Sequence, residues 1–464
     1  MPARPRPALR LALTLALAAT SPSFAKAEDG GAAEGSRPNI VLIMADDLGY
    51  GALGCYGQQK VRTPRLDRMA AEGARFTQAY AGSCVCAPSR AALMLGVQTG
   101  RTPGRSNADP GLRAEDGPRT LAATLRRAGY ATGGFGKWGL GDVESPGAPW
   151  QQGFDLFFGF LDQTHAHFHY TDHLFRDDRR VDVPENRDGR RARYAPDLIV
   201  DEALAFIRAN RDRPFFAYLA VTPPHAEIDA PEDSIALYRG AFPEVPFPGG
   251  HYAAQPTPRA AYAGMVSRLD RDAGRVLDLI AELGLDGRTI VVFTSDNGPI
   301  TAGGADPAFF RNAGPLRGLK FSLYEGGVRV PLIVRWPGRV PAGRVVDDVW
   351  SHVDFLPTFA ALAGAELPSG VELEGRSGLP AFLDAPRPPR AEPLYWETPV
   401  DQPRKGLSWA GRIGRHKGIV PAPDDPLEVY DLEADVAESR DLAPARPDLV
   451  QSFRDLFARE HREP

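Results

Sequence analysis

The sequence predicts an α/β fold: a doubly wound, mostly parallel sheet flanked by helices, with a smaller C-terminal α+β subdomain. Three observations carry this. Asn39–Ala45 (NIVLIMA) is apolar throughout rather than alternating, as in strands buried on both faces. Further strand-length runs alternate with helical patterns along most of the chain. From about Glu366 that alternation gives way to short strand-like pieces among Pro-rich turns.

Taken in order, Asn39–Ala45 is the first strand. Thr63-Pro64 supplies an N-cap and a proline at the first helical position, opening a helix through Met69 that Gly73 stops. Thr120–Ala128 reads as a helix ended by Gly129, with a short strand near Ala131–Phe135. A helix at Pro196–Arg208 precedes a strand at Phe215–Val221, and the 3.6-residue period of Ala260–Leu283 precedes a strand at Thr289–Thr294. Pro331–Val334 is a further strand and His352–Ala363 a helix. In the C-terminal part, Leu394–Trp396 and Val429–Leu432 read as strands and Pro447–Arg459 as the last helix. The expected layout is a signal peptide at 1–27, a catalytic α/β domain at 36–365 and the subdomain at 366–464. In doubly wound sheets ligands sit beyond the carboxyl ends of the strands, so the residues that end these strands are where chemistry is expected.

Composition narrows the class. The 464 residues are 43% hydrophobic and 24% charged, which excludes disordered, collagenous and coiled-coil chains. With 48 Gly and 44 Pro, many turns are expected rather than long helices. Met1–Ala27 carries Arg4, Arg6, Arg10 and Lys26, no acid, a small and apolar stretch at Leu11–Ala19, and an A-x-A site at Ala25–Ala27. That is the pattern of a secretory signal peptide, too short in its apolar part to span a bilayer. Removing it makes the mature chain more acidic than the formal −5 of the whole. An exported protein, periplasmic or secreted, is expected, with no nucleic-acid partner and no membrane span. Export permits disulfides, but Cys55, Cys84 and Cys86 are an odd number and leave one thiol over.

The residues with chemical potential sit at strand ends. Asp46-Asp47 follows the first strand, and Ser295-Asp296-Asn297-Gly298 follows Thr289–Thr294. Adjacent carboxylates repel, and their oxygens with an amide oxygen suit a hard cation, Ca²⁺ or Mg²⁺. Alone, either cluster could equally be a solvated helix cap. Two of them at the ends of parallel strands can converge on one ion. In Ser83–Met94, Pro88 starts a helix, so Cys86 is expected just before its N-terminus, where free N–H groups and the dipole favour an anion. Arg90 adds a fixed cation one turn on. Cys-x-Cys could also be a metal half-site or a disulfide partner, though no other Cys/His spacing supports zinc.

The segment C-x-P-S-R-x-x-x-[LM], here Cys86–Met94, resembles the signature of the type I sulfatases of the alkaline phosphatase superfamily. Supporting matches are Ala45–Gly51 (ADDLGYG), Gly136-Lys137-Trp138, Thr222-Pro223-Pro224-His225, Thr294–Gly298 (TSDNG), and Lys320 ahead of Tyr324–Arg329 (YEGGVR). The similarity runs from Arg37 to about Ala363 and more loosely to the C-terminus. It implies that a maturation enzyme oxidises Cys86 to formylglycine, whose hydrate is a gem-diol. One hydroxyl attacks sulfur and displaces the alcohol, and the second collapses the adduct to release sulfate. The resemblance further implies Ca²⁺ on Asp46, Asp47, Asp296, Asn297 and the modified Cys86. Arg90 would help activate the diol, Lys137 and Lys320 would clamp the sulfate, and His225 would be the general acid to the leaving alcohol. A sulfate ester of a carbohydrate or aryl alcohol is the expected substrate. A phosphate or phosphonate monoester is the alternative within the superfamily.

One departure stands out. The family often has His two positions beyond the lysine of Gly-Lys-Trp, and this chain has Gly139 there. That gap is what a catalytically impaired binding protein would also display, against which the other motif residues argue. Four histidines, His165, His167, His169 and His173, crowd Gln163–His173. A metal site, a surface loop and a sugar-binding rim are all open readings of that cluster. The Leu161–His167 stretch resembles sulfatases acting on galactose- or N-acetylgalactosamine-type sulfates, which makes Gln163, His165 and His167 candidate substrate contacts. If Cys86 is modified, Cys55 and Cys84 remain as an even pair, and whether they bond is open.

Overall fold

The structure, a computed structural model, describes residues 1–2, 37–109, 111–400 and 406–462. All but the first two residues of the expected signal peptide lie outside the described residues. Among the described residues, no helix is long and apolar enough to cross a membrane.

Strand β1 (Asn39–Ala45) lies at the centre of an eleven-stranded sheet. The others in chain order are β2 (Ala74–Tyr80), β3 (Ala131–Lys137), β4 (Leu156–Phe160), β5 (His173–Arg176), β6 (Arg179–Asp182), β7 (Phe215–Ala220), β8 (Thr289–Ser295), β9 (Arg329–Arg335), β10 (Arg344–Val346) and β11 (Trp350–Ser351). Their order is β10-β2-β9-β8-β1-β7-β3-β4-β5-β6, with β11 also on β2. The run β8-β1-β7-β3-β4 is parallel throughout. Strand β9 runs antiparallel to both β8 and β2, and β5-β6 is an antiparallel hairpin at one edge.

The unbroken apolar run of β1 is explained by its two faces. Val41, Ile43 and Ala45 enter one core, beneath the helices Pro64–Ala71, Ala195–Ala209 and Pro258–Glu282. Ile40, Leu42 and Met44 enter the other, beneath Cys86–Leu95, Leu121–Arg127 and Phe355–Ala363. A strand sandwiched in this way has no solvated face to mark with polar residues. At Leu121–Arg127 the cap is the expected one, since Thr120 accepts from the Ala123 N–H. Thr63 precedes its helix with Pro64 at the first position, but its side chain makes no capping bond and instead accepts from the Gly54 N–H at 2.8 Å.

The C-terminal part adds a four-stranded antiparallel sheet, β12 (Leu394–Val400), β13 (Gly406–Ile413), β14 (His416–Val420) and β15 (Glu428–Asp431), backed by the helix Pro447–Glu460. A buried charge cluster ties it to the main sheet. Lys417 of β14 pairs with Glu325 at 2.9 Å, in the turn that enters β9, and with Glu438 at 3.2 Å. Burial raises Glu438 to about 7, with the Glu325 charge adding to it and Lys417 only partly offsetting it. A carboxyl raised in the fold holds its proton better there than in the unfolded chain. Its contribution is therefore complete below the ordinary value of 4.5 and is lost as pH rises through 7. Chemical denaturation at pH 5 and pH 8 should show the wild type losing on the order of 3 kcal/mol more over that interval than Glu438→Gln. Equal slopes would remove Glu438 as the cause.

Candidate active site

Parallel register brings the chemistry together. Ala45 pairs with Ser295 and Met44 with both Thr294 and Ala220, so β1, β8 and β7 end side by side. Beyond those ends lie Asp46-Asp47, Asp296-Asn297 and the loop carrying His225, while Lys137 is the last residue of β3. Gly298 leaves no room for a side chain, because a Cβ there would lie 1.9 Å from the Gly326 carbonyl oxygen. The Asp296–Gly298 turn thus sits directly on the loop that carries Lys320, whose N–H donates to the Pro299 carbonyl.

Cys86 is the first residue of the helix Cys86–Leu95, one step inside the position expected from Pro88, with Val85 as the cap residue. The Asn107 side chain accepts from the Ala87 N–H at 2.9 Å, and the Ser89 hydroxyl donates to the Asp296 carbonyl at 2.5 Å. Neither contact is signalled by sequence spacing. Cys86 Sγ lies 3.4 Å from Asp46 Oδ1 and 3.2 Å from Lys320 Nζ. Burial, with Asp46 beside it, pushes this thiol up to about 12.

Three carboxylates and three fixed cations interlock here, all buried. Lys137 Nζ is 2.8 Å from Asp46 Oδ2, Lys320 Nζ 2.7 Å from Asp47 Oδ1, and the Arg90 guanidinium 2.7 Å from Asp296 Oδ2. Burial works against the Asp46 charge, but Lys137 and Arg90, with Lys320 further off, outweigh it and hold that carboxyl well below the usual range. Asp47 goes the other way, to about 6, because burial and the Asp46 and Asp296 charges exceed what Lys320 returns. Asp47 also adopts φ 62, a left-handed conformation that Asp tolerates better than most residues. Its N–H donates to Asp296 Oδ1, and Asn297 Nδ2 donates to its Oδ1.

The oxygens left over fit a cation. Asp47 Oδ2 and Asn297 Oδ1 are buried and accept no hydrogen bond among the described residues, and burial together with neighbouring carboxylates still raises Asp47 and Asp296 despite Lys320 and Arg90. Ligand atoms of Asp46, Asp47, Cys86 and His225 all lie within 4.8 Å of one another. Hard oxygen donors of this kind suit Ca²⁺ or Mg²⁺. His225 Nε2 stands 3.5 Å from Asp47 Oδ2, while Nδ1 faces the Ala226 carbonyl. Burial keeps the ring neutral, with Lys137 and Lys320 adding to the effect and Asp46 opposing it.

The histidine cluster divides. His167 stacks on His225 with ring centroids 4.7 Å apart. His169 braces the same loop, its Nε2 3.1 Å from the His225 carbonyl. His165 is not brought to the Cys86 group. It stacks on His173 and bonds Thr171 at 2.7 Å, packed against Phe160. Gln163 covers Gly139, where a Cβ would lie 2.3 Å from the Gln163 amide nitrogen. A histidine at 139 would have to displace that side chain. Cys55 and Cys84 are both free thiols.

The family model described as Sulfatase matches residues 38–365. The chain belongs to the sulfatase family. A second family model, described as N-sulphoglucosamine sulphohydrolase, C-terminal, matches residues 319–454. Among sulfatases, arylsulfatase A of Homo sapiens is 34% identical over 485 residues, covering 90% of this chain and 87% of that protein. The N-acetylgalactosamine-6-sulfatase of Sus scrofa is 32% identical over 407 residues, covering 82% and 71%. The crystal structure of Ps i-CgsB in complex with k-i-k-neocarrahexaose gives a TM-score of 0.80 at 28% identity, covering 92% of this chain and 94% of that one. This sulfatase is thus a sulfuric ester hydrolase with the fold of the alkaline phosphatase superfamily.

Proposed function

We propose that the protein is an exported, calcium-dependent sulfatase that removes sulfate from a carbohydrate through a formylglycine made from Cys86 by a maturation enzyme. The observation that carries this is the position of Cys86 Sγ, at a helix N-terminus and between Asp46 and Lys320. In the structure this sulfur stands in for the oxygens of the hydrated aldehyde. Formylglycine supplies a gem-diol, whose second hydroxyl can expel sulfate where a plain serine or thiol could not. Asp46, Asp47, Asp296 and Asn297, with the modified residue, would hold the ion, which supplies charge for an oxyanion next to it.

The remaining roles follow from where the side chains point. Arg90 is locked by Asp296 and by the Lys137 carbonyl, 2.6 Å from its Nη1, so it is a preorganised charge beside Cys86. Lys320 at the sulfur position and Lys137 on the Asp46 carboxylate next to it would bind sulfate oxygens. His225 would protonate the departing alcohol. Burial disfavours its charged form, and the negative charge of a bound sulfate works in the opposite direction. The carbohydrate reading draws on relatives named for N-acetylgalactosamine 6-sulfate and on the neocarrahexaose complex. Residues 36–365 would form the catalytic domain and 366–464 a supporting subdomain.

Mass spectrometry of the Cys86 peptide from a host that matures such enzymes should show loss of sulfur and gain of oxygen. An unmodified thiol in active enzyme would overturn the formylglycine assignment. Turnover of 4-nitrophenyl sulfate should exceed that of the phosphate ester, and the reverse preference would favour a phosphate or phosphonate monoester hydrolase. Calcium chelation should lower both activity and Tm; neither changing would remove the ion.

A further inference from the structure

Outward from His225 runs a ladder of rings. His225 is 2% exposed, His167 half-buried against it, and His251 exposed with Nε2 3.5 Å from His167 Nδ1. Tyr252 continues the wall, its ring centroid 4.8 Å from His251 and 5.8 Å from His167. Both belong to the loop closed by the Phe247–Gln255 bridge, far in sequence from every motif residue. The Tyr252 hydroxyl makes no hydrogen bond among the described residues, and after burial its strongest electrostatic neighbours are Lys320 and Asp47.

Lys320 also has Phe321 beside it, with Nζ 5.5 Å from the ring centroid. Phe321 is 61% exposed and holds φ 70, a conformation that is strained for a bulky residue. Its backbone N–H donates to the Cys84 carbonyl, which pins this conformation next to the nucleophile's segment. Exposing a large ring costs solvation and the left-handed backbone costs strain, yet among the described residues the ring is left mostly uncovered. Aromatic faces with hydrogen-bonding edges, at the mouth of a buried anion site, match a ring that is apolar on its faces and hydroxylated at its rim.

We propose that Tyr252 and His251 on one wall and Phe321 on the other form the subsite for the leaving alcohol, and that it selects a saccharide ring. The proposal rests on the sulfatase reading above. Tyr252 and Phe321 would stack on the sugar, and His251 would hydrogen-bond a hydroxyl.

The test uses purified, matured enzyme and a panel of galactose, N-acetylgalactosamine and N-acetylglucosamine monosulfates beside 4-nitrophenyl sulfate. The wild type should show its highest kcat/KM on one of the saccharides. On that sugar, Tyr252→Ala and Phe321→Ala should each raise KM roughly tenfold. Tyr252→Phe, which keeps the ring, should recover most of that loss. The inhibition constant of inorganic sulfate, which reads the inner pocket alone, should stay the same in all three. A wild type that prefers the aryl ester overturns the saccharide assignment. Unchanged KM, or KM and sulfate inhibition rising together, overturns the subsite. Turnover of phosphate esters but of no sulfate ester would instead refute the underlying reading. Phe321 lies at the surface, so its truncation keeps the test valid should Tyr252→Ala fold poorly.

Discussion

Replacing Cys86 by alanine is expected to reduce turnover roughly 10⁴- to 10⁶-fold, the scale seen when a covalent nucleophile is removed. The fold should survive. The helix Cys86–Leu95 is anchored by the Asn107 acceptor at Ala87 and by the Ser89 bond to Asp296, neither of which uses the sulfur. Deleting one buried atom should cost about 1 kcal/mol of stability. Near-UV circular dichroism and denaturation midpoints would therefore match the wild type while activity disappears. Retained turnover would show that another group attacks, and lost structure would show that Cys86 is mainly a packing residue.

The legible part of the fold was the part buried on both faces. Strands β1, β7 and β8 carry uninterrupted apolar runs because residues of both parities enter a core, and that pattern has no competing explanation at strand length. Strand β2 (ARFTQAY) has no such mark because it mixes polar and apolar residues near the sheet edge, β13 (GLSWAGRI) because glycines and polar residues break up its eight positions, and β14 because it is short and centred on Gly418. The sequence also carries no sign of direction. Pro331–Val334 read as one more strand, yet β9 runs antiparallel to its neighbours.

At the site, residues tied to strand ends were readable, since the end of a buried strand fixes where the next side chain goes. Asp46, Lys137 and Asp296 meet for that reason. Loop residues had no such guide. His165 and His167 are two positions apart, yet one turns toward Thr171 and the other onto His225. His251 and Tyr252 carry no motif at all, because a loop's landing point depends on contacts its own sequence does not contain.

The second large effect is expected at Asp296. Arg90 is 1% exposed and directs Nε and Nη2 at Asp296 Oδ2, 3.1 and 2.7 Å away, with Asp46 more distant at 3.4 Å. Asp296→Ala strands that guanidinium and removes the acceptor of the Asp47 N–H. Leaving one member of a buried pair alone costs about 3–5 kcal/mol. An opposing effect exists, because removing one of three crowded carboxylates relieves repulsion that raises Asp47. A bound divalent cation would already neutralise that repulsion, so the relief counts only without it. The destabilisation should therefore be larger in calcium than in chelator, with activity lost in both. Asp296→Asn, which keeps an acceptor for Asp47, should lose activity equally but less stability. A variant as stable as wild type in calcium would show that Arg90 is held by Asp46 and the Lys137 carbonyl, and that Asp296 does not contribute to holding the ion.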